Sequence, residues 1–572
     1  MATSPTTKIA ELLARLELFT PVQIEELLTK YRQEGGSITD LLVSQGYARE
    51  EVFLEALAKA MSVPFARAGE TNIAKDVLEK VPTKAIFQYN IIPLVMEKGS
   101  LRIATHDPFR PGLMDALRLA TGLRIRFTLC PSIEIAKASK KLYGVGADTL
   151  ERMIQDNRIE VAPEEDMLKD DLSELDQEAS VVKFVNQIIW EAYQERSTDI
   201  HLEPMETDLR IRYRVDGVLH QTPVPPQLKR FQPAIISRIK VMAGMDIAEK
   251  RLPQDGRISL RIRGEEIDVR VSTMPTVYGE SVSLRLLMRS SGMIGMDQLG
   301  LNPHDEAILK KLIHKPHGIL LVTGPTGSGK STSLYAWLHT INSMDKRILT
   351  LEDPIEYEMA GINQIEVRAE IGLTFAIGLR HILRQDPNVI MVGEIRDKET
   401  AENAIRGALT GHLVFSTLHT NDSAGAVTRL IDMGIEPFLV ASSVEALVAQ
   451  RLIRRLCQKC RRPRKMDEAY MASIAFPMDR LNEGIVYEAV GCEECRMSGF
   501  RGRTGIYEIL VMTDQIRPLV ITRASSNEIK QIALREGMRT LRSDGWNKVL
   551  AGVTTIEEVL RVSEEDEAMT EG

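Results

Sequence analysis

Eight consecutive residues, Gly324, Pro325, Thr326, Gly327, Ser328, Gly329, Lys330 and Ser331, spell GPTGSGKS, and Thr332 follows them. Glycines at this spacing let successive backbone N–H groups turn towards one polyanion, and a lysine and a hydroxyl complete the series. An apolar run, HGILLVTG, precedes the stretch and a helical pattern, STSLYAWLHTIN, follows it, so the positive end of a helix is aimed at the same place. The chemistry expected is capture of a nucleoside triphosphate, with Lys330 reaching the β and γ phosphates and Ser331 ligating Mg²⁺.

Hydrolysis needs acids as well: one to hold the metal, usually through water, and one to orient or deprotonate the attacking water. Two strands offer them. KRILTLEDPIEY carries Glu352, Asp353 and Glu356 just after its apolar run, and QDPNVIMVGEIRD ends in Glu394, Arg396 and Asp397. Asp353 before Pro354 also reads as a helix N-cap. In GHLVFSTLHTND, His412 and His419 stand seven apart and should bracket the strand LVFSTL, where each is either a structural hydrogen bonder or, beside Thr417 and Asn421, a sensor of the γ phosphate.

A second constellation is Cys457, Cys460, Cys492 and Cys495, written CQKC and CEEC. Two such knuckles suit a tetrahedral Zn²⁺ held by four thiolates, a structural site because no coordination position stays open. A redox CxxC is the weaker reading, since neither pair sits in a βαβ frame. Cys130 stands apart and reads as core.

These groups need a scaffold. The chain has 572 residues, enough for roughly three to five domains. Its net charge of -8 argues against a protein that coats nucleic acid, so no nucleic-acid partner is expected. The start, MATSPTTKIAELLARLELF, lacks a secretory signal and no apolar run is long enough for a membrane span, which leads to a cytoplasmic expectation.

Residues 1–62 read as amphipathic helices, either a repeat (ELLARLELFTPVQIEELL against DLLVSQGYAREEVFLEAL, offset by 29) or a small bundle with coincidental leucine spacing. Residues 63–145 suggest a small α/β module and 146–178 an acidic linker. A domain over 179–290 opens on the helix SVVKFVNQIIWEAYQER and continues in antiparallel hairpins. Strand and helix then alternate over 291–455 as in a doubly wound parallel sheet. The cysteine insert occupies 456–512, and helices close the chain over 513–572.

The set GPTGSGKS, LEDPIEY, LRQDPNVIMVGEIRD and GHLVFSTLHTND resembles the secretion ATPase superfamily, specifically the motors of type II secretion and type IV pilus assembly. STDIHLEP, RYRVDG, KRLPQDGR and VRVSTMPTVYGESVSLRLL upstream, and AQRLIRRLCQKC and GMRTLRSDGWNKVLAGVTTIEEVLRV downstream, are similar to the same family, so the resemblance spans nearly the whole chain.

The resemblance implies an α/β fold: a RecA-like P-loop core, a PAS-like α+β domain before it, a tetracysteine zinc insert and helical N-terminal domains. It implies a homo-hexameric ATP hydrolase using Mg²⁺. Glu356 would be the base for the attacking water, Glu394 would help hold Mg²⁺, and His412 and His419 would link nucleotide state to domain movement. Arg212, Arg257, Arg270 and Arg285 would close over the phosphates, while Arg396 and Asp397 would brace the helix that begins KETAEN.

Some relatives bind a cyclic dinucleotide through an N-terminal repeat whose units begin Arg-Leu-Gly. Here the starts read Lys8-Ile9-Ala10 and Ser37-Ile38-Thr39, and the later glycine is Glu17 in one copy and Gly46 in the other. Those departures count against such binding and favour a docking surface for inner-membrane platform proteins, with the motor peripheral to the membrane. DMGIEPFL at 432–439 inclines the reading towards type II secretion rather than pilus assembly.

Overall fold

The computed structural model describes residues 5–143, 170–287 and 294–563, apart from some single residues and short stretches within those ranges. The linker expected at 146–178 falls outside the described residues up to 169, and the helix that follows begins at Asp170, running to Gln194. The chain divides into two compact units, Met1–Leu287 and Met288–Gly572.

The first unit opens with four helices, Pro5–Arg15, Pro21–Glu34, Ile38–Ser44 and Glu50–Met61. They form two pairs, and the second members start 29 residues apart, the offset of the sequence repeat. Leu13, Leu27, Leu42, Phe53, Leu54 and Leu57 are buried together. A three-stranded sheet follows, with β1 (Ile91–Glu97) antiparallel to β2 (Ser100–Thr105) and β2 parallel to β3 (Arg124–Leu129). The helices and this sheet share a core: Leu129 packs among the leucines, and Glu50 accepts hydrogen bonds from the Ser132 N–H at 2.7 Å and hydroxyl at 3.0 Å.

A six-stranded antiparallel sheet completes this unit: β4 (Ser197–Pro204), β5 (Leu209–Val215), β6 (Val218–Thr222), β7 (Gln254–Ile262), β8 (Glu265–Thr276) and β9 (Gly279–Leu287). Its order is β6-β5-β4-β9-β8-β7. Alternation explains its two faces: Ile200, Leu202, Ile211, Tyr213, Val269, Val271 and Leu284 bury one against helices Asp170–Gln194 and Gln232–Met242. The residues between them, rich in arginine, form the other face.

The second unit is built on a seven-stranded sheet. Its strands are β10 (Gly318–Thr323), β11 (Ile348–Glu352), β12 (Asn363–Glu366), β13 (Val389–Val392), β14 (Leu413–Leu418), β15 (Val444–Leu456) and β18 (Phe500–Val511), with the short pair β16 (Arg462–Pro463) and β17 (Tyr487–Glu488) set in an excursion. The order is β12-β11-β13-β14-β10-β15-β18, parallel except for the last pairing.

Every residue of β10, β11, β13 and β14 is buried, because helices cover both faces. Ile319, Leu321, Ile390 and Val392 join one core with helices Phe375–Ile382 and Lys398–Leu409. Leu320, Val322, Val389 and Met391 join the other with helix Lys330–Ile341. The four central strands therefore end together, and whatever follows their carboxyl ends is gathered at one crevice.

Candidate active site

The glycine-rich stretch leaves β10 at Thr323 and enters helix Lys330–Ile341 at Gly329. Gly329 has φ 90°, and a Cβ there would stand 2.8 Å from the Gln450 amide nitrogen. Gly324 would place a Cβ 2.6 Å from the Gln450 carbonyl oxygen. Both glycines are required by the close backing of β15, whose Gln450 also accepts the Ser333 hydroxyl at 2.8 Å. Lys330 donates from Nζ to the carbonyls of Gly324 at 2.8 Å and Pro325 at 3.2 Å. Ser331 is exposed at the helix N-terminus, Thr332 is half-buried, and Pro325, Thr326 and Gly327 form the open outer rim, with Ser328 buried behind it.

Burial pushes the Lys330 amine down to about 8, against the opposing pull of Glu394 and with help from the like charge of Arg451. Glu394 follows β13 and is mostly buried; its carboxylate meets Arg396 at 2.5 Å and the His419 Nε2 at 3.3 Å. Arg396 thus pairs with Glu394, whereas sequence reading assigned it to the next helix. Asp397 does serve that helix, accepting the Thr400 N–H at 2.8 Å as its N-cap.

His419 follows β14 and stands at the crevice, next to Thr420, whose N–H reaches the Thr323 hydroxyl at 2.8 Å. His412 precedes β14 and lies at the opposite end of that six-residue strand, its Nδ1 2.9 Å from the Gly407 carbonyl. In a parallel sheet only the carboxyl ends meet, so the structure does not bring His412 to the phosphate loop.

The acids after β11 divide by burial. Glu352 is 4% exposed and saturated by neutral donors: the Tyr335 hydroxyl, the Thr350 hydroxyl at 2.5 Å and the Gln364 amide at 3.1 Å. Asp353 and Glu356 are exposed, and the Glu356 N–H donates to the Tyr335 oxygen at 3.3 Å.

The four arginines lie in the first unit, on one face of the six-stranded sheet. Arg257, Arg270 and Arg285 are direct cross-strand partners on β7, β8 and β9, and the row continues to Asp199 on β4 and Arg214 on β5. Asp199 holds Arg285 at 3.0 Å and Arg214 at 3.3 Å. Arg212, on the same face of β5, pairs with Glu203.

Sequence reading missed Gln450 and Arg451. Arg451 donates to the Asn421 carbonyl at 2.8 Å and flanks Gly324. Nothing in AQRLIRR marks it until the sheet order sets β15 beside β10.

Cys457 follows β15 directly, and Cys495 lies just ahead of β18, so the excursion between these antiparallel strands leaves and returns through the four cysteines. Their sulfurs lie within 4.8 Å of one another, with 3.8 Å between Cys457 and Cys492, and 3.7 Å from Cys495 to both Cys460 and Cys492. Four sulfurs at about 2.3 Å from one Zn²⁺ stand about 3.8 Å apart at the edges of a tetrahedron, so the donors fit that ion. Burial raises the Cys460 thiol to about 12. Burial also raises Cys495, but the N–H donors of Cys492 and Gly499 outweigh it and bring it to about 7.

Phosphate loop, parallel sheet and acids at the carboxyl ends define a P-loop ATPase. The type II/IV secretion system protein family matches residues 174–561, and the chain belongs to it; an MshEN domain matches residues 61–149. The chain is 42% identical over 557 residues to the type IV pilus assembly ATPase PilB of Myxococcus xanthus, covering 97% of this chain and 98% of that protein. It is 41% identical over 573 residues to the type II secretion system protein E of Xanthomonas campestris, covering 98% and 99%. To the type II secretion system protein E of Pseudomonas aeruginosa it is 52% identical over 397 residues, 69% of this chain and 78% of that one. The chain is an ATP hydrolase of the secretion and pilus assembly class. No described helix is long and apolar enough to cross a membrane.

Proposed function

We propose that the chain hydrolyses ATP to drive pseudopilus assembly and protein export in a type II secretion system. The observation that carries the catalytic reading is the placement of Lys330 and Glu394 at the same end of the sheet: one ends the loop after β10, the other follows β13, and both strands pair in parallel with β14 between them. The 52% identity to a type II secretion protein E supports the secretion system. Type IV pilus assembly is the second reading, favoured by the 42% identity that runs almost end to end along PilB.

In this reading the backbone from Gly324 to Gly329 and the Lys330 amine bind the β and γ phosphates. Mg²⁺ would be held by Ser331 and, through water, by Glu394, and would neutralise charge on the phosphate oxygens. Glu356 takes the proton of the attacking water; its exposure leaves room for that water, which Glu352 lacks. Arg212, Arg257, Arg270 and Arg285 neutralise charge developing on the transferred phosphoryl group, in a homo-hexamer. Cys457, Cys460, Cys492 and Cys495 would hold Zn²⁺, which would pin the excursion between β15 and β18 without taking part in the reaction. The N-terminal helices dock on platform proteins at the inner face of the cytoplasmic membrane.

The test is a strain lacking this gene. The proposal expects secreted enzymes to stay in the cells while surface pili persist, with rescue by the wild-type gene and none by Lys330→Ala. Loss of pili with normal export supports the second reading and overturns the first.

A further inference from the structure

Tyr335 lies on the helix that follows the phosphate loop, and its side chain is almost completely buried. Its ring stacks on Tyr357 with centroids 4.2 Å apart. Its hydroxyl does two things at once: it donates to the Glu352 carboxylate, and it accepts the N–H of Glu356 at 3.3 Å. Glu352 is itself fixed by Thr350 and by Gln364, whose amide also reaches the Tyr357 carbonyl at 3.2 Å. Burial, and next the charge of Glu352, keep the phenol protonated well beyond its ordinary range, so it stays a donor to that acid. Packing alone would be served by phenylalanine; a phenol here is explained by its two hydrogen bonds.

We propose that Tyr335 is a positioning residue for hydrolysis: it wires the phosphate-loop helix to the backbone of Glu356 and holds that residue at the height of the bound phosphates. The inference rests on Glu356 acting as the base. A shift of helix Lys330–Ile341 is passed through one oxygen to the loop that carries Glu356, so phosphate binding and water activation are mechanically joined.

The test compares the full chain with Tyr335→Phe, Glu356→Gln and the double variant, in steady-state and single-turnover ATP hydrolysis with binding of a fluorescent ATP analogue. Tyr335→Phe keeps the ring and its stacking. The expected result is a fall in kcat of about tenfold with KM and analogue affinity within about twofold of wild type. Adding Tyr335→Phe to Glu356→Gln should change the residual rate by less than about twofold, because the residue acts through the one already removed. Should Tyr335→Phe fold poorly, Glu352→Gln, which keeps the acceptor's shape and removes its charge, is expected to lower kcat alone in the same way. An unchanged kcat, a rise in KM alone, or an equal tenfold loss on the Glu356→Gln background overturns the positioning role. Undiminished turnover in Glu356→Gln overturns instead the assignment of the base.

Discussion

Glu394 stands between Arg396, 2.5 Å away, and the imidazole of His419, 3.3 Å away, at the carboxyl ends of adjacent strands β13 and β14. This arrangement ties the acid proposed for Mg²⁺ to the loop that continues through Thr420 to Thr323 at the base of the phosphate loop. His419→Ala should therefore lower ATP turnover by about tenfold or more, whereas His412→Ala, at the far end of β14, should leave it within about twofold. Equal losses in the two variants would contradict the placement.

Lys330 makes binding sensitive to alkaline pH. Burial lowers its amine from 10.5 to about 8 in the free protein, and bound phosphates favour the charged form. Its contribution to nucleotide affinity is complete below about pH 8 and declines above it, by up to about tenfold per pH unit until the value in the complex is reached. Folding follows the opposite sign: because this pKa is depressed on folding, stability from this group rises as pH climbs from about 8 towards 10.5. Analogue titrations at a series of pH values should show weakening affinity; a flat profile would count against the role of the amine.

Beside the row Arg257, Arg270, Arg285 lies Asp199, which holds Arg285 and Arg214. Replacing Asp199 with alanine removes the carboxylate that Arg285 and Arg214 share. The expected cost is roughly 1–3 kcal/mol of stability, read in denaturant unfolding, with part recovered on adding sulfate or phosphate. No change in stability would show that the row needs no counter-charge.

Metal content tests the cysteine cluster. One Zn²⁺ per chain is expected by elemental analysis, lost in Cys492→Ser together with a lower thermal midpoint. A metal-free protein containing disulfides would support the redox alternative.

The most chemical parts of the molecule were the most legible in its sequence. GPTGSGKS and the paired CxxC knuckles carry their geometry in local spacing, and the fully buried strand before GEIRD announced helices on both faces. What stayed hidden depends on strand order. Arg451 and Gln450 back the phosphate loop only because β15 pairs with β10, and the arginine row appears only when β7, β8, β9 and β4 are set in register. Arg396 was misassigned because sequence proximity to a helix outweighed the nearer charge of Glu394. The spacing of His412 and His419 showed that they bracket a strand, yet only strand direction tells which end faces the nucleotide.

The most direct test is steady-state ATP hydrolysis with Mg²⁺ by the purified full chain beside Glu356→Gln. The wild type should turn over ATP, and the variant should lose about a hundredfold or more in kcat while binding the fluorescent ATP analogue as well as before. A variant as active as the wild type, or one whose loss lies entirely in nucleotide binding, would contradict Glu356 as the base.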